Sequence, residues 1–196
     1  MEADFEGLVA GYMANEIGIV DHFLSAGLCE HLAANVLLLH EDQELKPAGV
    51  GNENLLQHSQ LIRKDKIYWL DKKHNDPYEN LFFQKMDAFV HYLNTTCYAN
   101  IKSYEFHYSL YEAGDFYIKH LDQFKDNASR QFSMISYLNP DWKAADGGAL
   151  LVYQKEGNQT IAPTQGKTVF FKSSALEHEV LVTQERRMSI AGWLKR

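Results

Sequence analysis

The sequence predicts an α+β fold in which N-terminal helices pack on one sheet of a double-stranded β-helix, a jelly roll of the cupin-like kind. Three observations predict it. Helical patterns dominate residues 1–100, short strands dominate residues 101–196, and turn residues separate those strands at short intervals. Because no repeat or linker-like segment interrupts the 196 residues, we predict a single domain, with the first range as helical support and the second as the core.

The first half is predicted to contain three helices and two strands. The helices cover residues 4–14, 26–39 and 76–98, and the strands cover residues 17–24 and 66–70. The longest helix starts at Asp76, a residue type that caps helix N-termini, and has Pro77 at its first turn. Its apolar stripe is interpreted as core packing against a sheet and consists of Tyr78, Leu81, Phe82, Met86, Phe89, Val90 and Leu93.

The second half is predicted to contain eight short strands. They cover residues 103–112, 115–122, 130–138, 148–154, 158–163, 167–173, 178–183 and 186–195. Residues typical of turns stand between them, as in 139–141 and 146–148. Strands at this spacing are typical of a double-sheet jelly roll, and the preceding helices are expected to cover one sheet.

Composition and charge argue against several function classes. The formal net charge of −7 argues against general affinity for nucleic-acid backbones. No apolar run reaches the length of a transmembrane helix, and residues 1–4 lack the features of a signal peptide. Cys29 and Cys97 form no disulfide or metal-binding pattern, as is usual in a reducing compartment. We therefore expect a cytoplasmic protein without a membrane partner.

The pattern His-x-Asp occurs three times in the chain, at 40–42, 74–76 and 120–122. The first copy lies at the polar end of a helical pattern, and the second lies beside a helix cap, so both are interpreted as solvated surface. Only the third is flanked by strand-forming aromatics and followed by a later histidine and arginine, His178 and Arg187. The context therefore favours the third copy.

Residues His120, Asp122 and His178 would form a 2-His-1-carboxylate triad, a ligand set that suits Fe(II) and leaves coordination positions open for a co-substrate and O₂. Positions i and i+2 of a strand point to the same side, so His120 and Asp122 can reach one metal. The planar fork of Arg187 can bind a distant carboxylate. This arrangement predicts an iron- and 2-oxoglutarate-dependent oxygenase.

Strand parity gives a mixed polar face to three predicted strands. In 186–195, one face carries Arg187, Ser189, Ala191 and Trp193, whereas the other carries Met188, Ile190 and Leu194. The same alternation groups Ser133, Ile135 and Tyr137 in one strand, and His107, Ser109 and Tyr111 in another. We interpret these faces as the walls of a pocket. The alternative interpretation is the solvent-facing side of a sandwich. Parity also assigns the binding of the distant carboxylate to Arg187 rather than to Arg186.

Several segments share a pattern that extends beyond these ligands. They are residues 111–122, 137–142, 147–150 and 178–193, with 63–69 in the first half. Together they resemble the prolyl hydroxylase branch of the 2-oxoglutarate oxygenases, in particular the prolyl hydroxylase domain enzymes of hypoxia sensing and their bacterial relatives. The resemblance covers well over half of the chain, and the combined pattern is highly specific although each segment alone is weak.

The resemblance implies roles for individual residues in the metal and cofactor site. Fe(II) would be bound by the catalytic triad of His120, Asp122 and His178. The far carboxylate of 2-oxoglutarate would be bound by Arg187 and Tyr137, with Tyr111 near the metal-chelating end. The apolar walls would be Ile135, Leu150, Val180 and Trp193.

On the substrate side, the resemblance implies contacts from Arg63, Asp65, Trp69 and Arg130. Asp65 and Arg130 are expected to pair and tie the substrate-side loop to the barrel, and the 43–60 loop is the second predicted recognition element. Two positions depart from the family pattern. Lys64 replaces a glycine that is usual in this loop, and Ala191 stands where a hydroxyl residue can support the 2-oxoglutarate carboxylate.

The implied reaction consumes 2-oxoglutarate and O₂, releases succinate and CO₂, and admits ascorbate as an additional reductant. Asp122 favours hydroxylation, because halogenating relatives lack this carboxylate. The leading interpretation is 4-hydroxylation of a prolyl residue in a protein, with a translation factor as one target by analogy. Alternatives are a free amino acid or other small molecule as substrate, a non-catalytic iron or 2-oxoglutarate sensor, and a cupin-type metalloprotein that would need more histidine ligands and no Arg187.

Overall fold

The computed structural model describes residues 2–49, 61–123 and 127–196. Within these ranges the chain forms two facing β-sheets, and three α-helices cover the outer face of the larger sheet. The helices are α1 (Glu2–Asn15), α2 (Ala26–Glu41) and α3 (Pro77–Thr96). The strands are β1 (Ile17–Val20), β2 (Lys46–Pro47), β3 (Lys66–Trp69), β4 (Ser103–Tyr111), β5 (Tyr117–His120), β6 (Arg130–Tyr137), β7 (Leu150–Tyr153), β8 (Gln159–Ile161), β9 (Thr168–Lys172), β10 (Glu177–Val180) and β11 (Arg187–Lys195). The predicted fold class is confirmed.

The two sheets differ in size, and β11 lies at the centre of the larger one. Among the described strands, the larger sheet has the order β1-β9-β6-β11-β4-β3-β2, and the smaller has the order β5-β10-β7-β8. Strand β11 pairs antiparallel with β4 on one side and with β6 on the other. The three mixed faces predicted from parity therefore belong to three adjacent strands.

The alternation of β11 separates two hydrophobic clusters. Met188, Ile190 and Leu194 pack in a cluster with the helices, as predicted. A second cluster lies between the sheets, where Leu150 and Val180 of the smaller sheet meet Tyr137, Phe171 and other residues of the larger one. The face of β11 that carries Arg187 looks into this inter-sheet space. The interpretation as a pocket wall therefore fits the fold better than a solvent-facing side.

Helix α3 begins as predicted, because the Asp76 side chain accepts hydrogen bonds from the backbone N–H groups of Tyr78 and Glu79. Its predicted stripe is mostly buried, but Leu81 is 48% exposed and was wrongly included. Phe83 is buried instead, and its ring stacks on Tyr104 of β4. The helix is thus rotated toward β4, which buries the side of Phe83 and leaves the side of Leu81 in solvent.

A glycine allows β4 and β11 to approach closely at the helix-facing side. A Cβ atom at Gly192 would overlap the Glu105 carbonyl oxygen and the ring of Phe106. The ring of Phe106 in turn packs edge-on against Phe82 of α3, with centroids 5.1 Å apart. Gly192 thereby lets α3 pack tightly on the sheet.

None of the helices in the described part of the chain is both long enough and apolar enough to span a bilayer.

Candidate metal centre and its pocket

Three metal-binding side chains converge between the sheets. His120 ends β5, Asp122 follows two residues later, and His178 lies on β10 directly opposite His120. Their ligand atoms all lie within 4.8 Å of one another. The nearest atoms of His120 and Asp122 (Nε2 and Oδ1) are 3.4 Å apart, and those of His178 and Asp122 (Nε2 and Oδ2) are 3.7 Å apart. This cluster could hold a metal ion.

Backbone carbonyl groups fix the orientation of both imidazoles. Nδ1 of His120 lies 2.8 Å from the Ile118 carbonyl oxygen, and Nδ1 of His178 lies 3.0 Å from the Leu176 carbonyl oxygen. A proton on Nδ1 satisfies each carbonyl and leaves the lone pair of Nε2 directed at the cluster. The rings therefore present the nitrogens that a metal would bind.

The electrostatics of the cluster favour a cation. Burial alone would raise the pKa of Asp122, but the facing imidazoles of His178 and His120 outweigh it and hold that pKa well below the usual range. Burial lowers the pKa of His178, although the neighbouring charge of Asp122 acts in the opposite direction. An ionised carboxylate beside neutral imidazole is the state in which these groups bind metal.

Arg187 is a buried cation in the same cavity. Its side chain is almost fully buried, with 1% of its surface exposed, and Nε donates to the Gly148 carbonyl oxygen at 2.7 Å. The guanidinium carbon lies 5.0 Å from the ring centroid of Tyr111 and 5.1 Å from that of Tyr137. Its Nη2 atom has no hydrogen-bond partner within the described structure. A buried guanidinium with a free N–H group needs an anion.

Tyr137 offers a second donor beside this guanidinium. Its hydroxyl is buried and has no hydrogen-bond partner among the described residues. Burial raises the pKa of Tyr137 to about 12, so the phenol stays protonated and can donate. The unpartnered groups of Arg187 and Tyr137 together fit one carboxylate.

The cavity brings most of the predicted cofactor residues together. Tyr111, Ile135, Leu150, Val180 and Trp193 line it with the metal-binding cluster and Arg187. Tyr137 lies behind the guanidinium rather than on the lining surface. Ala191 also lines the cavity, so no hydroxyl stands at that position. Arg186 lies outside, where its Nε donates to a Glu112 carboxylate oxygen at 3.2 Å.

At the entrance, the predicted pairing of Asp65 with Arg130 is wrong. Asp65 is 1% exposed and pairs with Arg63 through two contacts of 2.7 and 2.6 Å, while the Ser109 hydroxyl donates to it as well. Arg130 instead binds Glu105 of β4. The reason is geometric, because Arg63 is close in sequence to Asp65 and folds back onto it.

The other predicted entrance residues lie at the same mouth. Arg63, Trp69 and Arg130 line a second depression that includes Asp122. Lys64, which replaces the family glycine, does not have positive φ, so this backbone accepts a side chain. Residues 50–60 of the predicted 43–60 loop lie outside the described residues.

Tyr117 is a site residue that strand parity missed. Its ring stacks on His120, with centroids 3.6 Å apart, and the guanidinium carbon of Arg63 lies 4.4 Å from the Tyr117 ring centroid. A regular strand would place Tyr117 and His120 on opposite faces, since they are three residues apart. The register with β10 shifts between His178 and Val180, and this irregularity brings both rings to one side.

The other two His-x-Asp copies are engaged in unrelated contacts. His40 Nε2 lies 3.1 Å from a Glu112 carboxylate oxygen, and His74 Nδ1 lies 3.0 Å from a Glu79 carboxylate oxygen. Neither copy belongs to the metal-binding cluster found in the described ranges.

Comparisons with known proteins agree with this geometry. The model of the 2OG-Fe(II) oxygenase superfamily matches residues 106–195. A prolyl-4-hydroxylase from Pseudomonas putida is 30% identical, with 98% of each chain covered and a TM-score of 0.88. A Trichoplax adhaerens prolyl hydroxylase, solved with a peptide fragment of the hypoxia inducible factor oxygen degradation domain, is 22% identical, with 99% of this chain and 90% of that chain covered and a TM-score of 0.87.

The chain is also similar to a human protein over most of its own length. Egl nine homolog 1 is 26% identical over 189 residues, which cover 90% of this chain but 43% of the human protein. The chain thus spans less than half the length of this relative. The match to the bacterial enzyme covers both chains almost completely. The chain therefore belongs to the prolyl hydroxylase family of the 2OG-Fe(II) oxygenase superfamily.

Proposed function

We propose that this protein is an Fe(II)- and 2-oxoglutarate-dependent dioxygenase that hydroxylates a prolyl residue of a protein. The observation that carries the proposal is one cavity with two complementary features. It contains a cluster of two imidazoles and a carboxylate, and it contains a buried guanidinium whose Nη2 atom has no hydrogen-bond partner among the described residues. A metal ion and a carboxylate-bearing co-substrate would satisfy both.

His120, Asp122 and His178 would hold the iron. Two imidazoles and one carboxylate form the ligand set that suits non-haem Fe(II) and leaves positions open for other ligands. The carbonyl groups behind both imidazoles keep Nε2 aimed at the ion. Tyr117 would hold His120 in place by stacking on its ring.

Arg187 and Tyr137 would hold the far carboxylate of 2-oxoglutarate. The Arg187 guanidinium is fixed by its bond to the Gly148 carbonyl oxygen, so its free N–H group is preorganised. Tyr111 stacks near the guanidinium, while Ile135, Leu150 and Val180 provide apolar walls that exclude water. A dicarboxylate can thus be bound at one end by donors while its other end approaches the metal.

When bound, Fe(II) and 2-oxoglutarate together supply the oxidising power that uses O₂ to convert a C–H group into C–OH and leaves succinate and CO₂. The protein contributes orientation and a dry site. Asp122 remains ionised because His178 and His120 lower its pKa against the effect of burial. Asp122 would supply one ligand to the ion, so its position would not be available to an exchangeable ligand.

The substrate would enter past Arg63, Trp69 and Arg130. Trp69 is 47% exposed at the mouth, whereas the Arg63 side chain is held by Asp65 and Tyr117. Support for a peptide comes from the Trichoplax adhaerens enzyme, which was solved with a peptide fragment. A cytoplasmic location, a translation factor as target and a reductant role for ascorbate belong to the same proposal and rest on family analogy.

Succinate release tests the proposed function directly. The purified protein with Fe(II), 2-oxoglutarate and O₂ should release succinate slowly alone and faster with proline-containing peptides, which should gain one oxygen atom. Omission of iron is the matched control. Stimulation by free amino acids but by no peptide or protein would replace the protein substrate with a small molecule, and absence of succinate under every condition would refute an oxygenase.

A further inference from the structure

The proposed iron ligand Asp122 lies outside the strands. Strand β5 ends at His120, and Asp122 follows two residues later, so the pairing of β5 with β10 does not extend to it. A ligand that is already held in place loses less conformational freedom when the ion binds. Residues that fix this short segment can therefore support metal binding without touching the ion.

The residue that follows Asp122, Gln123, makes three hydrogen bonds to neighbouring segments. Its backbone N–H group donates to the Ser173 carbonyl oxygen at 3.1 Å. Its side-chain Nε2 atom donates to the Arg130 carbonyl oxygen at 2.8 Å and to the Ala128 carbonyl oxygen at 3.3 Å. Carbonyl oxygens only accept, so the two N–H groups of the side-chain amide match both partners. The position of the Gln123 side chain is therefore defined.

Arg130 and Gln123 form a reciprocal pair. The Gln123 side chain donates to the backbone of Arg130, and the Nη1 atom of Arg130 donates to the Asp122 carbonyl oxygen at 3.3 Å. The guanidinium is held in turn by Glu105 and by stacking on Trp193, with its carbon 3.3 Å from the ring centroid. This reciprocal pair connects the segment after β5 to the start of β6.

The backbone bond of Gln123 reaches the segment that leads to His178. Ser173 directly follows β9, and its N–H group donates to the Gln131 carbonyl oxygen of β6 at 3.1 Å. In the same connection between β9 and β10, the Leu176 carbonyl oxygen lies 3.0 Å from Nδ1 of His178. Gln123 thus links the Asp122 segment to both β6 and the connection that orients the second histidine.

We propose that Gln123 is a positioning residue that holds Asp122 in its metal-binding place in the metal-free protein. The inference rests on the proposed function, because it requires Asp122 to be an iron ligand. Without the side-chain amide, the segment would be free to take other arrangements. The apparent metal affinity would then fall in proportion to the fraction of molecules in which Asp122 stays in place.

The test replaces Gln123 with methionine, which has a similar length but no N–H group. The metal-free protein is titrated anaerobically with Co(II), whose visible absorption reports binding, and competition gives the affinity for Fe(II). Gln123→Met should raise the Kd for both ions about three- to tenfold, as expected for the loss of neutral hydrogen bonds. The Co(II) spectrum at saturation should match that of wild type, because all three ligands remain.

Gln131→Met is the matched control. The Gln131 side chain donates to the same Ala128 carbonyl oxygen, at 2.7 Å, but it lies within β6 rather than beside Asp122. Both variants lose a hydrogen bond from a glutamine side chain to a carbonyl group, so both should lower the urea midpoint of the metal-free protein. Only Gln123→Met should lower the affinity for Co(II).

Two results would overturn the inference. One is a wild-type Kd for Co(II) in Gln123→Met, and the other is an equal loss of affinity in Gln123→Met and Gln131→Met. Gln123→Ala repeats the test by truncation. If neither replacement of Gln123 folds, its role is structural and the inference falls.

The wild-type protein separates the inference from the proposed function. If wild type releases succinate with a peptide but Gln123→Met keeps the wild-type Kd, only the inference falls. Metal binding by wild type without succinate release under any condition refutes the oxygenase, while the two Kd values still decide the role of Gln123. A wild-type protein that binds neither Fe(II) nor Co(II) refutes both.

Discussion

Arg187→Lys is the sharpest test of the proposed 2-oxoglutarate site. Lysine keeps the positive charge but lacks the planar fork, so it cannot bind the Gly148 carbonyl oxygen and a carboxylate at the same time in the present geometry. A hydrogen bond to a charged group contributes about 1.5–3 kcal/mol, and each ~1.4 kcal/mol corresponds to tenfold in affinity. The apparent affinity for 2-oxoglutarate should therefore fall about 10- to 100-fold.

The assay is a 2-oxoglutarate titration at saturating iron, by turnover and by anaerobic binding. Tyr137→Phe should change the affinity in the same direction by about three- to tenfold, because its neutral hydroxyl contributes less. Arg186→Lys is the matched control, since its side chain is 46% exposed and contacts Glu112 outside the cavity. Wild-type affinity in Arg187→Lys, or a large loss in Arg186→Lys, would refute the assignment of the carboxylate site.

Four further predictions follow from the structure. Alanine at any of the three proposed iron ligands should abolish Fe(II) binding and turnover, whereas His40→Ala should preserve both, as measured by equilibrium metal binding. Arg63→Met should destabilise the fold by about 3–5 kcal/mol in urea unfolding, because buried Asp65 loses its cation, and adding Asp65→Asn should restore part of the loss. Gly148→Ala places a Cβ at positive φ, 3.0 Å from Cδ of Arg187, so it should lower both stability and 2-oxoglutarate affinity in parallel titrations. Burial raises the pKa of Glu79, so the stability that the protonated side chain contributes is lost as the pH rises above about 4.5. The Tm of Glu79→Gln should therefore rise relative to the Tm of wild type over that range, and equal pH profiles of Tm would contradict this.

The faces of the central strand could be predicted from sequence because its geometry is regular. Strand β11 pairs with β4 over all nine of its residues, and its register with β6 shifts only between Leu194 and Lys195. Period-two alternation therefore holds from Arg187 to Trp193. The polar face and the core face follow directly from it.

Positions next to a backbone irregularity were harder to predict. Tyr117 stacks on His120 although the two residues are three apart, because the pairing of β5 with β10 is irregular there. A sequence gives no direct sign of such a shift. Only the packing of the two strands around the imidazoles determines which face Tyr117 takes.

Long-range choice of ion-pair partner was the other source of error. Arg63, Lys64 and Arg130 carry the same charge, so sequence alone does not rank them as partners of Asp65. Backbone contacts determine which of these side chains pairs with Asp65. The Lys64 N–H group donates to the Phe116 carbonyl oxygen at 3.1 Å, and this antiparallel bridge places the Arg63 side chain against Asp65 and the ring of Tyr117.

The unsatisfied polar atoms of the cavity connect these observations to function. Four of the five buried side-chain atoms without partners in the described structure belong to Arg187, Tyr137, His107 and Trp193. Buried groups of this kind oppose folding unless something binds them, so their concentration around one metal-binding cluster is a cost that a ligand offsets. The Arg187 guanidinium and the protonated phenol of Tyr137 are donors that suit a carboxylate. The part of the cavity beside Arg187 therefore favours an anionic ligand.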